Sequence, residues 1–172
     1  MRANPSVASS PTDRSRTVQR DPLYFEDFEA GQTFETRGKT LTEASIIDFA
    51  WAHDPQPFHI DAEAAKASPY GGLIASGFQT HLVAFRLVYQ ENIWNTASMG
   101  SPGIDELRWL KPVRPGDTLR VVMEVKETRP SGSRTDRGYV RMFYAVLNQA
   151  DDCVMSYYAT HILRTRADAE AG

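Results

Sequence analysis

The sequence predicts an α+β domain in which an antiparallel sheet curls around one long apolar helix. Three observations predict it. Residues 76–95 carry the longest helical pattern in the chain. Phe78, Leu82, Val83, Ala84, Phe85, Leu87, Val88, Tyr89 and Ile93 leave it little polar face, and a helix apolar nearly all round is a buried one. After Pro102 the apolar period changes to two, as where Leu119, Val121, Met123 and Val125 alternate with Arg120, Glu124 and Lys126. The alternating segments are long and their connections short, which implies antiparallel neighbours. Such a sheet must wrap the helix to cover it, and its open edge strands favour pairing with a second copy.

Along the chain, residues 22–34 read as an entry loop with a turn at Gly31, and residues 33–39 as a short strand. Thr40 and Thr42 are candidate N-caps for a helix that runs to about His53, with Ile46, Ile47, Ala50 and Trp51 on one face. Pro55 stops it. Asp61 caps a short helix over 62–67, which Pro69, Gly71 and Gly72 break. The long helix follows. Strands are then expected over 104–110, 118–128, 139–147 and 154–164, separated by the turn Pro115-Gly116-Asp117, a longer loop from Pro130, and a turn over 148–152. This gives one domain over 21–166, between disordered tails at 1–20 and 167–172. The first 20 residues set Arg2, Arg14, Arg16 and Arg20 against Asp13 amid Ser, Thr and Pro. They lack the apolar core of a secretory signal, and a disordered tail is preferred to an organelle transit peptide.

With 19 basic and 22 acidic residues and a net charge of -3, the composition argues against a nucleic-acid-binding face. No apolar run approaches the length of a membrane span. The single cysteine, Cys153, has no partner for an internal disulfide, and a reducing cytoplasm is the simplest setting.

The densest chemistry lies in His53-Asp54-Pro55-Gln56-Pro57-Phe58-His59-Ile60-Asp61. Asp54 and Gln56 each precede a proline, so the chain here is expected to be extended and stiff. A stiff turn with an acid and an imidazole five residues apart holds an acid–base pair still. Asp54 follows a helix C-terminus, which should raise its pKa, and His59 precedes a helix N-terminus, which should favour neutral imidazole. Such a pair is suited to polarising water. Downstream, Gly71-Gly72-Leu73-Ile74-Ala75-Ser76-Gly77 runs into the long helix, and the Gly77 N–H at its start is a candidate oxyanion donor. Asp61 is better explained as an N-cap than as a metal ligand with His53, so no metal site is expected. His81 and His161 read as packing or surface residues. Tyr139, Phe143, Tyr144, Tyr157 and Tyr158 read as core or dimer interface. Nothing supports covalent catalysis, since no Gly-x-Ser-x-Gly elbow occurs.

These two segments, with Tyr24-Phe25-Glu26-Asp27-Phe28-Glu29-Ala30-Gly31 and Trp109-Leu110-Lys111-Pro112-Val113-Arg114-Pro115-Gly116-Asp117, resemble the MaoC-like dehydratases and the related (R)-specific enoyl-CoA hydratases over roughly residues 22–166. The resemblance implies a hotdog fold, a homodimer or higher homo-oligomer, and reversible hydration of trans-2-enoyl-CoA to (R)-3-hydroxyacyl-CoA. The CoA thioester is then the substrate, and no cofactor is implied. Asp54 and His59 take the positions of the family's Asp-x-Asn-Pro-x-His acid and imidazole, and Gly77 that of its backbone oxyanion donor. Ser76 and Gln56 join Gly77 as oxyanion- or substrate-binding residues. Gln56 replaces the motif's Asn, Ser76 a common His, and Phe85 a small polar residue of some hydratases. Arg129, Arg134 and Arg137 are candidate contacts for CoA phosphates. Two alternatives share the fold, a hotdog acyl-CoA thioesterase and a non-catalytic acyl-thioester-binding subunit. Against the first, no acid occurs on the long helix before Glu91.

Overall fold

The computed structural model describes residues 22–171, so the tail expected over 1–20 lies outside the described residues. After a 3-10 turn at Phe25–Asp27 come β1 (Thr33–Glu35), β2 (Lys39–Thr40), α1 (Glu43–His53), α2 (Pro57–Ile60), α3 (Ala62–Lys66) and α4 (Gly77–Gln90). Then follow β3 (Ile104–Trp109), β4 (Thr118–Pro130), β5 (Arg137–Leu147), β6 (Cys153–Arg164) and α5 (Arg166–Ala171). The strands form one antiparallel sheet in the order β1-β4-β5-β6-β3, with β2 also pairing with β4.

The period-two pattern decides which face of the sheet is buried. Leu119, Val121, Met123 and Val125 of β4 are all buried, as are Val140, Met142, Tyr144 and Val146 of β5 and Tyr157, Ala159 and Leu163 of β6. Tyr144 and Tyr157, opposite each other in register, stack face to face at 4.5 Å. Against this face α4 lays Ala84, Leu87 and Val88. His161 sits in the same layer, with Nε2 2.6 Å from the Tyr144 hydroxyl and its ring against Trp94. Burial pushes its pKa down to about 4. His81 packs on the edge of Tyr157, and burial lowers its pKa also.

Several expectations are corrected. The long helix ends at Gln90, where Glu91 caps it and Asn92 turns to a positive φ of 50°. It is not buried all round: Phe78, Leu82, Phe85 and Tyr89 are 60%, 53%, 55% and 57% exposed and form one stripe at turn spacing. One sheet can wrap only one side of a helix, so the other side is left over within a single chain. Residues 33–39 do not form a single strand: at Thr36 the side-chain hydroxyl, not the backbone carbonyl, accepts from Val121 N, so the ladder breaks there and resumes at Lys39. Thr42, not Thr40, caps α1, accepting from Ser45 N while Ser45 Oγ accepts from Thr42 N. Trp51, placed on the buried face of α1, is 73% exposed. Residues 166–171 form a helix where a disordered tail was expected. It is tied down by an Arg164–Asp168 ion pair at 3.3 Å and by contacts from Arg166 to Glu26 and Asp27. Among the described residues, no helix is long and apolar enough to cross a membrane.

Candidate active site

The turn after α1 is built by its two prolines. Asp54 is the C-cap of α1, its N–H bonded to Ala50 O at 2.8 Å. Gln56 is extended, and Pro57 opens the single helical turn of α2 at the position where a missing N–H costs nothing. The extended conformation expected of the whole turn therefore stops at Gln56. That helical turn rotates His59 inward, where it is 4% exposed. Asp61, expected as an N-cap, accepts from the N–H groups of Glu63 and Ala64. His53 stays exposed and packs on Phe49.

The Gly-rich segment is held against this turn by its backbone. Gly71 sits at φ +64°, which glycine adopts without strain. Ile74 N donates to Phe58 O at 3.2 Å and Ala75 N to Val113 O at 2.8 Å. Ser76 then caps α4, accepting from Phe78 N at 3.2 Å.

Asp54 and His59 meet where these elements join. His59 Nδ1 lies 2.8 Å from Ile74 O. A carbonyl only accepts, so Nδ1 carries the proton, and in the neutral ring Nε2 is an acceptor. Nε2 faces Asp54 Oδ2 at 3.5 Å. Two acceptors facing each other at that distance are suited to a water that donates one proton to each. The Asp54 side chain is 15% exposed. Its Oδ2 accepts from Ser76 Oγ at 2.6 Å and its Oδ1 from Gln56 Nε2 at 2.9 Å.

These partners overturn the raised pKa expected for Asp54. Burial pushes the carboxyl up, but donation from Ser76 and Gln56 and the charge of a protonated His59 together outweigh it, and the net shift is downward. Ser76 and Gln56 were expected at the oxyanion or substrate. Ser76 is fully buried and spends its hydroxyl proton on Asp54, whereas Gln56 gives one amide N–H to Asp54 and still lines the cleft. The extra methylene of Gln56 reaches back to the acid two residues earlier.

Gly77 is the first residue of α4, and its N–H makes no hydrogen bond among the described residues. The indole of Trp109 lies directly over it, with Nε1 donating to Gly77 O at 3.0 Å. A Cβ at residue 77 would stand 2.6 Å from Trp109 Nε1 and 2.8 Å from Cδ2, so no larger residue fits beneath the ring where it stands. Sequence reasoning missed this role of Trp109, for a tryptophan at a strand end carries no signal of the helix it will cover. A cleft of about 380 Å³ opens beside His59 and Gly77, walled by Phe58, Ile74, Val113, Val154 and Trp109 with Thr80 and Gln56 as polar groups. Tyr70 and Lys111 line it as well, so apolar and polar surface are about balanced, which suits an acyl chain carrying a polar head.

Arg129, Arg134 and Arg137 are not brought to this cleft. Arg134 and Arg137 both pair with Asp136, at 3.2 and 2.7 Å, and hold its carboxyl well below the usual range. Arg129 lies over the Tyr139 ring. In register, Arg137 is opposite Arg164, whereas the cleft meets β6 at Val154, so about ten residues of strand, ~33 Å, separate them.

An antiparallel sheet curled against one long helix is the hotdog fold, and this is the fold of the chain. The chain belongs to the MaoC-like domain family, whose model matches residues 27–142. It superposes on a MaoC-like dehydratase from Rhodospirillum rubrum with a TM-score of 0.77 and 38% identity, covering 84% of this chain and 98% of the other. It is 30% identical over 129 residues to the Bacillus subtilis protein YdeM, covering 75% of this chain and 90% of that one. It is 31% identical over 117 residues to a 3-hydroxybutyryl-CoA dehydratase of Methylorubrum extorquens, covering 65% of this chain and 69% of the relative.

Proposed function

We propose that this protein is a hydro-lyase that reversibly adds water to a trans-2-enoyl-CoA to give the (R)-3-hydroxyacyl-CoA. The observation that carries this reading is the facing of Asp54 Oδ2 and His59 Nε2 at 3.5 Å, with His59 Nδ1 fixed on Ile74 O. The family and the relative named 3-hydroxybutyryl-CoA dehydratase support the reaction class.

In this reading one water donates to both acceptors. Its oxygen adds to the β-carbon while His59 Nε2 takes one proton. Asp54, already held anionic by Ser76 and Gln56, acts chiefly by stabilising the imidazolium so formed. Negative charge moves onto the thioester oxygen, where the unpartnered Gly77 N–H meets it. The imidazolium then returns its proton to the α-carbon, so one water is consumed and the catalyst is restored. The thioester is itself the electron sink, and the step calls for neither cofactor nor metal. The exposed stripe Phe78–Leu82–Phe85–Tyr89, continued by Trp109 and Leu110 beside the cleft, supports a homodimer as the working unit. A cytoplasmic setting belongs to the same reading.

Crotonyl-CoA tests it. Hydration removes the enoyl chromophore without releasing thiol, thioester hydrolysis releases thiol, and a binding subunit does neither. Asp54→Asn and His59→Gln should each lose on the order of 10²–10⁴ in rate while keeping the wild-type fold. Full hydration by Asp54→Asn would remove the assignment.

A further inference from the structure

A second cleft, of about 500 Å³, lies between the start of β2 and the C-terminal half of α4. Its charged lining is entirely cationic, from Arg37, Lys39 and Arg86, with Val83, Leu87 and Gln90 beside them. This runs against a chain whose net charge is -3. The cations also differ from the rest. Among the described residues, Lys39 and Arg86 are the two basic side chains with no ion pair, hydrogen bond or ring contact. Every other lysine and arginine there is engaged, including Arg134 and Arg137 on Asp136 and Arg129 over Tyr139. Arg37 is held in place by Glu91, which accepts from both its backbone N and its Nε at 3.2 Å. Glu91 offsets one charge and leaves two uncompensated.

We propose that this cleft binds the phosphorylated nucleotide end of coenzyme A, with Lys39 and Arg86 as the principal phosphate contacts. Unpaired cations around a concavity give up no existing ion pair when an anion arrives, and arginine is shaped to meet phosphate oxygens in pairs. Val83 and Leu87 offer an apolar floor and Gln90 an amide, which suit a nucleobase and its sugar. Arg86 is nine residues beyond Gly77 on α4, ~14 Å along the axis and about half a turn round it. The pantetheine arm has about as many chain bonds as four to five extended residues, ~15 Å, and the diphosphate beyond it supplies the further reach round the helix. The proposal rests on the acyl-CoA reading above for the identity of the nucleotide, but not for the presence of an anion site.

The full-length protein is titrated calorimetrically with adenosine 3′,5′-bisphosphate and, separately, with inorganic phosphate. The bisphosphate should bind at least tenfold tighter than phosphate. A Lys39→Gln/Arg86→Gln variant should weaken it tenfold or more, and Arg134→Gln/Arg137→Gln should leave it unchanged. Absence of bisphosphate binding, equal affinity for both anions, or loss in the second variant instead of the first overturns the proposal. Kinetics separate it from the reaction itself. The first variant should raise KM for crotonyl-CoA at least tenfold, leaving kcat and the rate on a phosphate-free crotonyl N-acetylcysteamine thioester unchanged. If the wild-type protein hydrates neither thioester, the hydratase reading fails, and the titration alone decides the cleft.

Discussion

Ser76 joins two functions in one buried hydroxyl, and replacing it with alanine separates them. As the cap of α4 it accepts from Phe78 N at 3.2 Å, an interaction whose loss costs about 1 kcal/mol. As a donor to Asp54 Oδ2 at 2.6 Å it makes a charge-assisted bond worth about 1.5–3 kcal/mol. Ser76→Ala should therefore destabilise the protein by about 2–4 kcal/mol at neutral pH. The two parts depend differently on pH. In the folded protein the Asp54 carboxyl lies below its ordinary value of 3.8. The stability that this brings is present above 3.8 and is lost as pH falls through the lower, folded value. The variant loses a donor that lowers Asp54, so its deficit is largest near neutrality. It should shrink toward the capping contribution in acid. Urea unfolding of both proteins, stepped down from pH 7 to the lowest pH at which refolding is reversible, reads the difference directly. A deficit that stays constant across the range would refute the Ser76–Asp54 coupling.

Gly77→Ala should drive the Trp109 ring off the helix start, cutting crotonyl-CoA hydration at least tenfold while changing thermal stability by no more than about 1 kcal/mol, since alanine favours the helix. Wild-type turnover would show that the ring and the N–H beneath it are not used. His161 is held near 4, below its ordinary 6.5, so the unfolded chain binds the extra proton first. Its contribution, about 3 kcal/mol, should be intact above pH 6.5 and decline as pH falls toward 4. A His161→Phe protein showing the same decline in chemical denaturation would assign it elsewhere. Phe85→Glu places a charge in the middle of the exposed stripe of α4 and should turn a dimer into a monomer by sedimentation equilibrium. An unchanged mass would show that the stripe is not the interface.

The alternation of Leu119, Val121, Met123 and Val125 is a local pattern with a local consequence, which is why the strands and their buried face were legible without coordinates. The same holds for the Asp54–His59 spacing, because prolines restrict their neighbours whatever surrounds them. α4 departs from its expected burial for a reason of the same kind. Periodicity reports that Phe78, Leu82, Phe85 and Tyr89 are apolar, but not whether this chain or another copy covers them. The charge state of Asp54 was also out of reach. A helix terminus acts within a few residues, whereas Ser76 Oγ arrives from 22 positions away and reverses the sign. By itself, then, the sequence determined the long strands, the alternating core and the acid–imidazole pair, since these follow from near-neighbour sterics and apolar spacing. Tertiary structure alone decided which donors meet Asp54, which nitrogen of His59 is free, and that Trp109 covers Gly77. Those depend on distances between segments, and folding sets them.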